Sequence, residues 1–171
     1  MQLPIVLEDR TGAPFTVRRY VSADRAALEA MYDGFEPKRG AQGLPPRSIE
    51  QIRRWLDQVL KAGDHLVIDI NGRVCGHVML VPAEAGTVEL ANFLHQSVRS
   101  RGIGTHANGI AAQVARDAGH QRIWLSVEPS NRAAIRSYEK AGFRQLPGSL
   151  WAPEIEMEMI LAPVAQDSSL A

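Results

Sequence analysis

The sequence has little of what would tie a protein to a membrane, an oxidising compartment or a thiol-based metal site. Among its 171 residues there is a single cysteine, Cys75, and one thiol cannot form an internal disulfide or a cysteine-rich zinc site. We therefore expect a reducing, cytoplasmic location. No apolar run approaches the roughly 18 residues of a membrane span. The acidic residues Glu8 and Asp9 make the first ten residues unlike a signal peptide.

Net charge is also missing. Nineteen basic and nineteen acidic residues cancel, so there is no electrostatic reason to expect binding to nucleic acid or to an anionic membrane. A neutral chain has little colloidal protection near neutral pH, which is compatible with a homodimer. The five histidines show no ligand spacing such as H-x-x-x-H, so no metal site is predicted.

What the chain does have is enough apolar sequence, 45% of its residues, to build one domain with a full core. We expect a single domain over 1–171, with a core at about 15–161, an N-terminal extension at 1–14 and a mobile tail at 162–171. Periodicity predicts the order β-α-α-β-β-β-α-β-α-β-β, a mixed α/β sheet with helices on its faces. The predicted strands are 17–21, 65–70, 74–81, 87–94, 121–127, 143–145 and 155–161; the helices lie around 28–35, from Ser48 to Gly63, and at 104–118 and 132–141.

A glycine-rich segment between a predicted strand and a predicted helix is the strongest functional signal. It reads Arg99-Ser100-Arg101-Gly102-Ile103-Gly104-Thr105. Such a turn aims several backbone N–H groups and the positive end of the helix dipole at one point. Its glycines allow close backbone approach, and its arginines supply donors suited to phosphate oxygens. The segment predicts a diphosphate site; the competing interpretation is a tight turn with solvated arginines.

Two other phosphate-binding motifs are excluded. No Gly-Lys-Ser/Thr opens a helix, as a Walker loop requires. A dinucleotide fingerprint is a G-x-G-x-x-G motif early in a βαβ unit. Here Gly102-x-Gly104 is followed by Ala107 at the third position, and the acidic residue expected on the next strand is missing.

Two motifs together resemble the GNAT superfamily of N-acetyltransferases. Arg99-x-x-Gly102-x-Gly104 resembles the superfamily's Q/R-x-x-G-x-G/A motif. After one helix and one strand, a second segment resembles its N…A…Y-E-K-x-G-F motif, with Asn131, Ala134 and the run from Tyr138 to Phe143. The resemblance spans about residues 17–161. It departs at Ser100, where many relatives have glycine, and at Ala107, where leucine is common, but neither change removes a backbone donor.

The resemblance implies a GNAT fold of about six to seven strands and about four helices, whose sheet is splayed where the pantetheine arm of an acyl-coenzyme A lies. Acetyl-CoA is the implied co-substrate. By similarity, Phe93 and Leu94 offer backbone groups to that arm, and Leu94 N–H polarises the thioester carbonyl. Asn131 contacts the arm, caps the following helix, or does both. The residues expected to bind the diphosphate are Arg99, Ser100, Arg101, Gly102, Ile103, Gly104 and Thr105.

The resemblance also suggests which residues carry the chemistry. Tyr138 is the expected general acid, because a phenol can donate a proton to the departing thiolate. Glu89 is the expected general base, on the same strand face as Ala91 and Phe93. A core tyrosine and a solvent-facing glutamate are the competing interpretations. His95 is an alternative base, and His77 is more simply a structural histidine.

The acceptor side is expected between the first two helices and the loop that joins them. Tyr32, Phe35 and Leu44 are predicted to wall an apolar pocket, and Lys38 and Arg39 to pair with a carboxylate on the acceptor. The competing interpretation is a solvated basic loop. The expected function is N-acetyl transfer from acetyl-CoA to a primary amine. A protein lysine or N-terminal acetyltransferase and a non-catalytic acyl-CoA binding module are the alternatives, and the missing Walker and dinucleotide motifs disfavour a nucleotide-binding regulatory domain.

Overall fold

The structure, a computed structural model, describes residues 1–38, 44–148 and 152–161. Within them, one eight-stranded mixed sheet carries helices on both faces. The strands are β1 (Ile5–Glu8), β2 (Pro14–Arg19), β3 (Asp64–Ile70), β4 (Arg73–Pro82), β5 (Thr87–Leu94), β6 (Arg122–Val127), β7 (Arg144–Gln145) and β8 (Ile155–Ile160). The α-helices are α1 (Arg25–Asp33), α2 (Ile49–Val59), α3 (Ile103–Asp117) and α4 (Arg132–Ala141).

Local sequence signals account for the central hairpin and for the start of α2. Asn71 and Gly72 join β3 to β4 with φ values of 53° and 79°, the left-handed conformations that a tight hairpin turn needs. At the start of α2, Ser48 Oγ accepts from Gln51 N at 3.3 Å, and Gln51 Oε1 accepts from Ser48 N at 3.4 Å. This reciprocal pair is the predicted capping box. The helix ends at Val59, before the predicted stop at Gly63.

The strand order is β1-β2-β3-β4-β5-β6-β8-β7. Among the strands of the described residues, only β5 and β6 run parallel, and their last paired residues are Glu89 and Trp124. Beyond that pair β5 continues to Leu94 and β6 to Val127, so the two strands diverge. The sheet therefore has the splay that the resemblance implies, and the gap opens toward the start of α3.

The core has two parts, one on each face of the sheet. Residues of α3 and α4 pack against side chains that include Val88, Leu90, Ile123 and Leu125. On the other face, α1 and α2 pack in an aromatic cluster that contains Phe93 of β5. Successive residues of β5 thus face opposite layers, which places Glu89 on the α1–α2 face.

The structure confirms the mixed α/β fold class and corrects some details. The first predicted strand, 17–21, lies instead at Pro14–Arg19. It begins earlier because Pro14–Val17 pair with β1, which the periodicity does not predict, while Thr16–Arg19 pair with β3. Over the part of the chain that the structure describes, the sheet has eight strands, where the resemblance implies about six to seven. The additional strand, β1, lies in the segment 1–14 and is too short to show a clear period. The predicted tail at 162–171 lies outside the described residues. None of the described helices is long and apolar enough to cross a membrane.

Candidate active site

A cavity of about 790 Å³ occupies the gap between the diverging ends of β5 and β6. It is walled by β5, by the turn before α3, by the end of β6 and by one side of α4. Most of the predicted site residues meet there: Glu89, Phe93, Leu94, Arg99, Ser100, Gly102, Gly104, Thr105, Asn131 and Tyr138 all line it, as do Phe35 and Leu44.

The hydrogen-bonding phase of β5 shows which backbone groups face this gap. Ala83 N donates to Thr87 O at 3.1 Å and His95 N donates to Cys75 O at 2.9 Å, so the odd-numbered residues of β5 bond toward β4. The backbone groups of Leu90, Asn92 and Leu94 therefore point into the gap. Leu94 N–H, the expected donor to the thioester carbonyl, is one of these groups.

Phe93, in contrast, directs its backbone groups toward β4, where it pairs with His77. The prediction that Phe93 offers backbone groups to a ligand is therefore wrong, because adjacent residues of a strand bond in opposite directions. Its ring still lines the cavity and packs edge-on against Tyr32 and Trp55.

The turn before α3 has the backbone of an anion site. Gly102 precedes the helix with φ of 83°, and no side chain caps this end of α3 among the described residues. The first N–H groups of a helix have no intrahelical partner, so they are available to an acceptor at the mouth of the gap. Ser100 has φ of 61°, which explains why glycine suits that position in relatives.

The two arginines of the turn are both engaged within the protein. Arg99 Nε donates to Leu94 O at 2.9 Å, and its guanidinium lies 4.8 Å from the centre of the Phe35 ring. Arg101 forms an ion pair with Asp9 and is absent from the cavity lining. Ile103, also predicted to bind phosphate, is fully buried in the core, so only its backbone can contribute.

Tyr138 lies on α4 with its ring edge-on to Phe143, and it lines the cavity. Burial raises the pKa of its phenol to about 12. The hydroxyl therefore stays protonated at neutral pH and can donate to a sulfur or oxygen in the gap. The helix that carries it begins at Asn131, whose Oδ1 accepts from Ala134 N at 3.2 Å. Asn131 is thus an N-cap that also lines the cavity.

Glu89 lies at the point where the sheet splits, with its side chain exposed to the cavity. Partial burial and then the nearby carboxylate of Glu154 raise the pKa of Glu89. Glu154 also lines the cavity, just before β8. A carboxylate with a raised pKa is a better proton acceptor for an ammonium group than an ordinary surface glutamate.

The two histidines weighed as alternatives have other partners. His95 Nδ1 lies 2.8 Å from Ser97 Oγ, and His95 does not line the cavity. His77 is fully buried; its Nδ1 lies 2.8 Å from Tyr32 Oη and its Nε2 3.1 Å from His65 Nδ1. Burial, with a smaller contribution from His65, lowers the pKa of His77 to about 3, as a neutral structural histidine requires.

The predicted acceptor residues divide into two groups. Phe35 and Leu44 line the cavity, whereas Tyr32 is fully buried behind Phe93 and does not reach it. Lys38 lies outside the lining and pairs with Asp33 at 3.6 Å. Arg39 lies outside the described residues.

Several lining residues were missed by the sequence analysis, including Arg10, Asn92, Asn108, Ser137 and Glu154. Asn92 Nδ2 donates to Asn108 Oδ1 at 2.7 Å, and Asn108 Nδ2 donates to Ser137 Oγ at 3.3 Å. These side chains come from β5, α3 and α4, so only the folded chain brings them together. No group of three or more His, Cys, Asp or Glu side chains suited to a metal ion occurs within 1–38, 44–148 and 152–161.

Comparisons with known proteins identify the family of this chain. The acetyltransferase (GNAT) family model matches residues 28–143, and the chain belongs to that family. An uncharacterized N-acetyltransferase of Mycobacterium bovis is 33% identical over 81 residues, an alignment that covers 43% of this chain and 48% of that relative. The chain thus spans about half the length of the curated relatives it matches.

Two solved structures show the same fold. The GNAT domain of S. lividans PAT superposes with a TM-score of 0.77 at 22% identity, covering 92% of this chain and 97% of that one. A phosphinothricin acetyltransferase from Sinorhizobium meliloti, solved in complex with AcCoA, has a TM-score of 0.70 at 17% identity and covers 86% of this chain and 88% of its own.

Proposed function

We propose that this protein is an N-acyltransferase that moves an acetyl group from acetyl-CoA to a primary amine by direct attack in a ternary complex. The observation that carries the proposal is the cavity itself. It combines an uncapped helix start, a backbone N–H at Leu94 and the side chains of Tyr138 and Glu89 in one gap of the sheet. A module that only binds acyl-CoA has no need of an acid such as Tyr138 or a base such as Glu89.

The residues can divide the chemistry between them. Glu89 accepts the proton that the acceptor ammonium must lose, directly or through water, so that the amine nitrogen can attack the thioester carbon. Leu94 N–H stabilises the negative charge that develops on the carbonyl oxygen. As the new C–N bond forms and the C–S bond breaks, Tyr138 donates a hydrogen bond or its proton to the departing sulfur. The second proton that the nitrogen loses on becoming an amide passes through water to the solvent, or replaces the proton that Tyr138 has donated.

The donor and acceptor assignments have different support. For the donor, the family membership and the AcCoA complex of the S. meliloti structure support acetyl-CoA. For the acceptor, Phe35 and Leu44 offer an apolar wall, while Glu89 and Glu154 favour a cationic amine over an anionic one. We further propose a cytoplasmic enzyme that works without a metal ion.

Replacing Tyr138 with phenylalanine tests the general-acid role. Tyr138→Phe keeps the ring and its contact with Phe143 but removes the donor, so turnover should fall about a hundredfold. Calorimetry should show nearly unchanged coenzyme A affinity. Tyr20→Phe, at a tyrosine outside the cavity lining, is the control and should keep wild-type turnover. Wild-type turnover in Tyr138→Phe would exclude this role.

The reaction itself is best tested by an amine screen. The full chain is incubated with acetyl-CoA and a library of small amines, polyamines and lysine or N-terminal peptides, and released thiol is measured. We expect thiol release that depends on particular cationic amines, with mass spectrometry showing the acetylated product. Binding of acetyl-CoA without acetylation of any amine or peptide would favour the non-catalytic module.

A further inference from the structure

The turn of the hairpin formed by β1 and β2 is bonded to the turn before α3, residues 99–105. Asp9, just after β1, is buried, and its Oδ1 accepts from Thr11 N at 2.8 Å, Thr11 Oγ1 at 2.6 Å and Ala13 N at 3.2 Å. Its Oδ2 accepts from the Arg101 guanidinium, and Arg10 N donates to Arg101 O at 2.9 Å. One carboxylate therefore organises the hairpin turn and joins it to residue 101.

This arrangement removes Arg101 from the group of phosphate ligands. Its guanidinium is neutralised by Asp9 and lies outside the cavity lining. Arg99 is constrained as well, because its Nε is committed to Leu94 O and its charged plane lies over Phe35. The two arginines that the motif brings to this turn are thus held by protein groups.

Arg10 is a third arginine at this turn. A Cβ added to Gly102 would lie 3.3 Å from both Cγ and Nε of Arg10, so the arginine side chain runs directly over the start of α3. Arg10 lines the cavity and forms no ion pair within the described part of the chain. Its Nε therefore lies close to Gly102, the residue before α3. The backbone N–H groups at the start of a helix attract an anion, and a guanidinium beside them can bind the same anion.

We propose that Arg10, supplied by the hairpin between β1 and β2, binds the diphosphate of the acyl-CoA. Asp9 positions Arg10, because its ion pair with Arg101 holds the hairpin turn against the turn before α3. The inference rests on the proposed function and adds a residue from outside the two motifs. It also gives the hairpin a role in donor binding. The planar guanidinium suits two phosphate oxygens better than an ammonium would.

Isothermal titration of the full chain tests the proposal with three ligands: coenzyme A, dephospho-coenzyme A without the 3′-phosphate, and pantetheine without any phosphate. Arg10→Gln should weaken coenzyme A and dephospho-coenzyme A by the same factor, about tenfold, the loss of one charge-assisted contact. It should leave pantetheine unchanged. Arg10→Lys should recover part of the loss.

Arg116→Gln is the matched control, since it removes the same charge at the far end of α3, and it should bind all ligands as the wild type does. Equal affinity of wild type and Arg10→Gln would overturn the proposal, as would a loss confined to coenzyme A, which would assign Arg10 to the 3′-phosphate. If the wild type bound no coenzyme A, the proposed function would fail instead. Equal melting temperatures exclude misfolding as the cause of any loss.

Discussion

At the scale of single residues, different environments set the pKa values of the proposed acid and the proposed base. Tyr138 is buried on the α3–α4 side, so its phenol is held protonated, with a pKa near 12. Glu89 lies on the opposite face of the sheet, partly open to the cavity, and its pKa is raised by burial and by Glu154. One group can therefore give a proton and the other can take one at the same pH, as an acid–base pair requires.

The influence of Glu154 on Glu89 predicts a pH effect. Turnover should rise with pH as Glu89 loses its proton. Glu154→Gln removes a neighbouring negative charge and so lowers the pKa of Glu89. The acid limb of the kcat/KM profile should then move to lower pH, and KM for a cationic amine should rise.

Glu156→Gln is the matched control. This neighbouring glutamate is exposed on β8, outside the cavity lining, and its replacement should leave the acid limb in place. An unchanged acid limb in Glu154→Gln would mean that Glu154 does not influence the base, or that Glu89 is not the base.

At the scale of elements, the hairpin of β1 and β2 depends on one ionised carboxylate. Hydrogen bonds from Thr11, then from Ala13 and Arg101, lower the pKa of Asp9 to about 2. A depressed pKa in the folded state means that the charged form stabilises the fold. This contribution is complete above the ordinary carboxyl pKa near 4 and is lost as the pH falls toward 2.

Thermal unfolding across that pH range tests the assignment. Asp9→Asn should lower the melting temperature at pH 7, and the difference from wild type should shrink between about pH 4 and pH 2. Glu8→Gln, at an exposed neighbour on the same hairpin, should show no such trend. A constant difference between Asp9→Asn and wild type over this range would refute the role of the charge.

The elements that the sequence predicts well are those with their own local signals. β5 and α4 have the predicted bounds, and the β3–β4 hairpin and the start of α2 follow from Asn71-Gly72 and the Ser48 capping box. β1 was missed because a strand of four residues at a sheet edge has little periodicity of its own. It forms because β2 offers it a partner.

At the scale of the whole molecule, the candidate site could be predicted as far as its motifs extend. Tyr138 and the turn before α3 follow from motif resemblance, and Glu89 from its place on a strand. Arg10 and Glu154 have no local signal, since only the docking of the hairpin and the course of β8 bring them to the cavity. The ion pair between Arg101 and Asp9 likewise joins residues far apart in the sequence, so it has no local sequence signal.

The central claim is that the gap between β5 and β6 binds an acyl-CoA through the turn at residues 99–105. Gly102→Glu tests it most directly, because the new side chain would meet Arg10 and place a carboxylate where the diphosphate is expected. Gly119→Glu is the matched control, with the same φ of 83° at the open, far end of α3. Gly119→Glu should have the same backbone strain and the same added charge as Gly102→Glu.

The measurement is calorimetric titration of coenzyme A into wild type and both variants, with circular dichroism to confirm that each is folded. We expect one site per chain in wild type and in Gly119→Glu, and no measurable binding in Gly102→Glu. Tight binding to folded Gly102→Glu, or no binding to the wild type, would contradict the central claim.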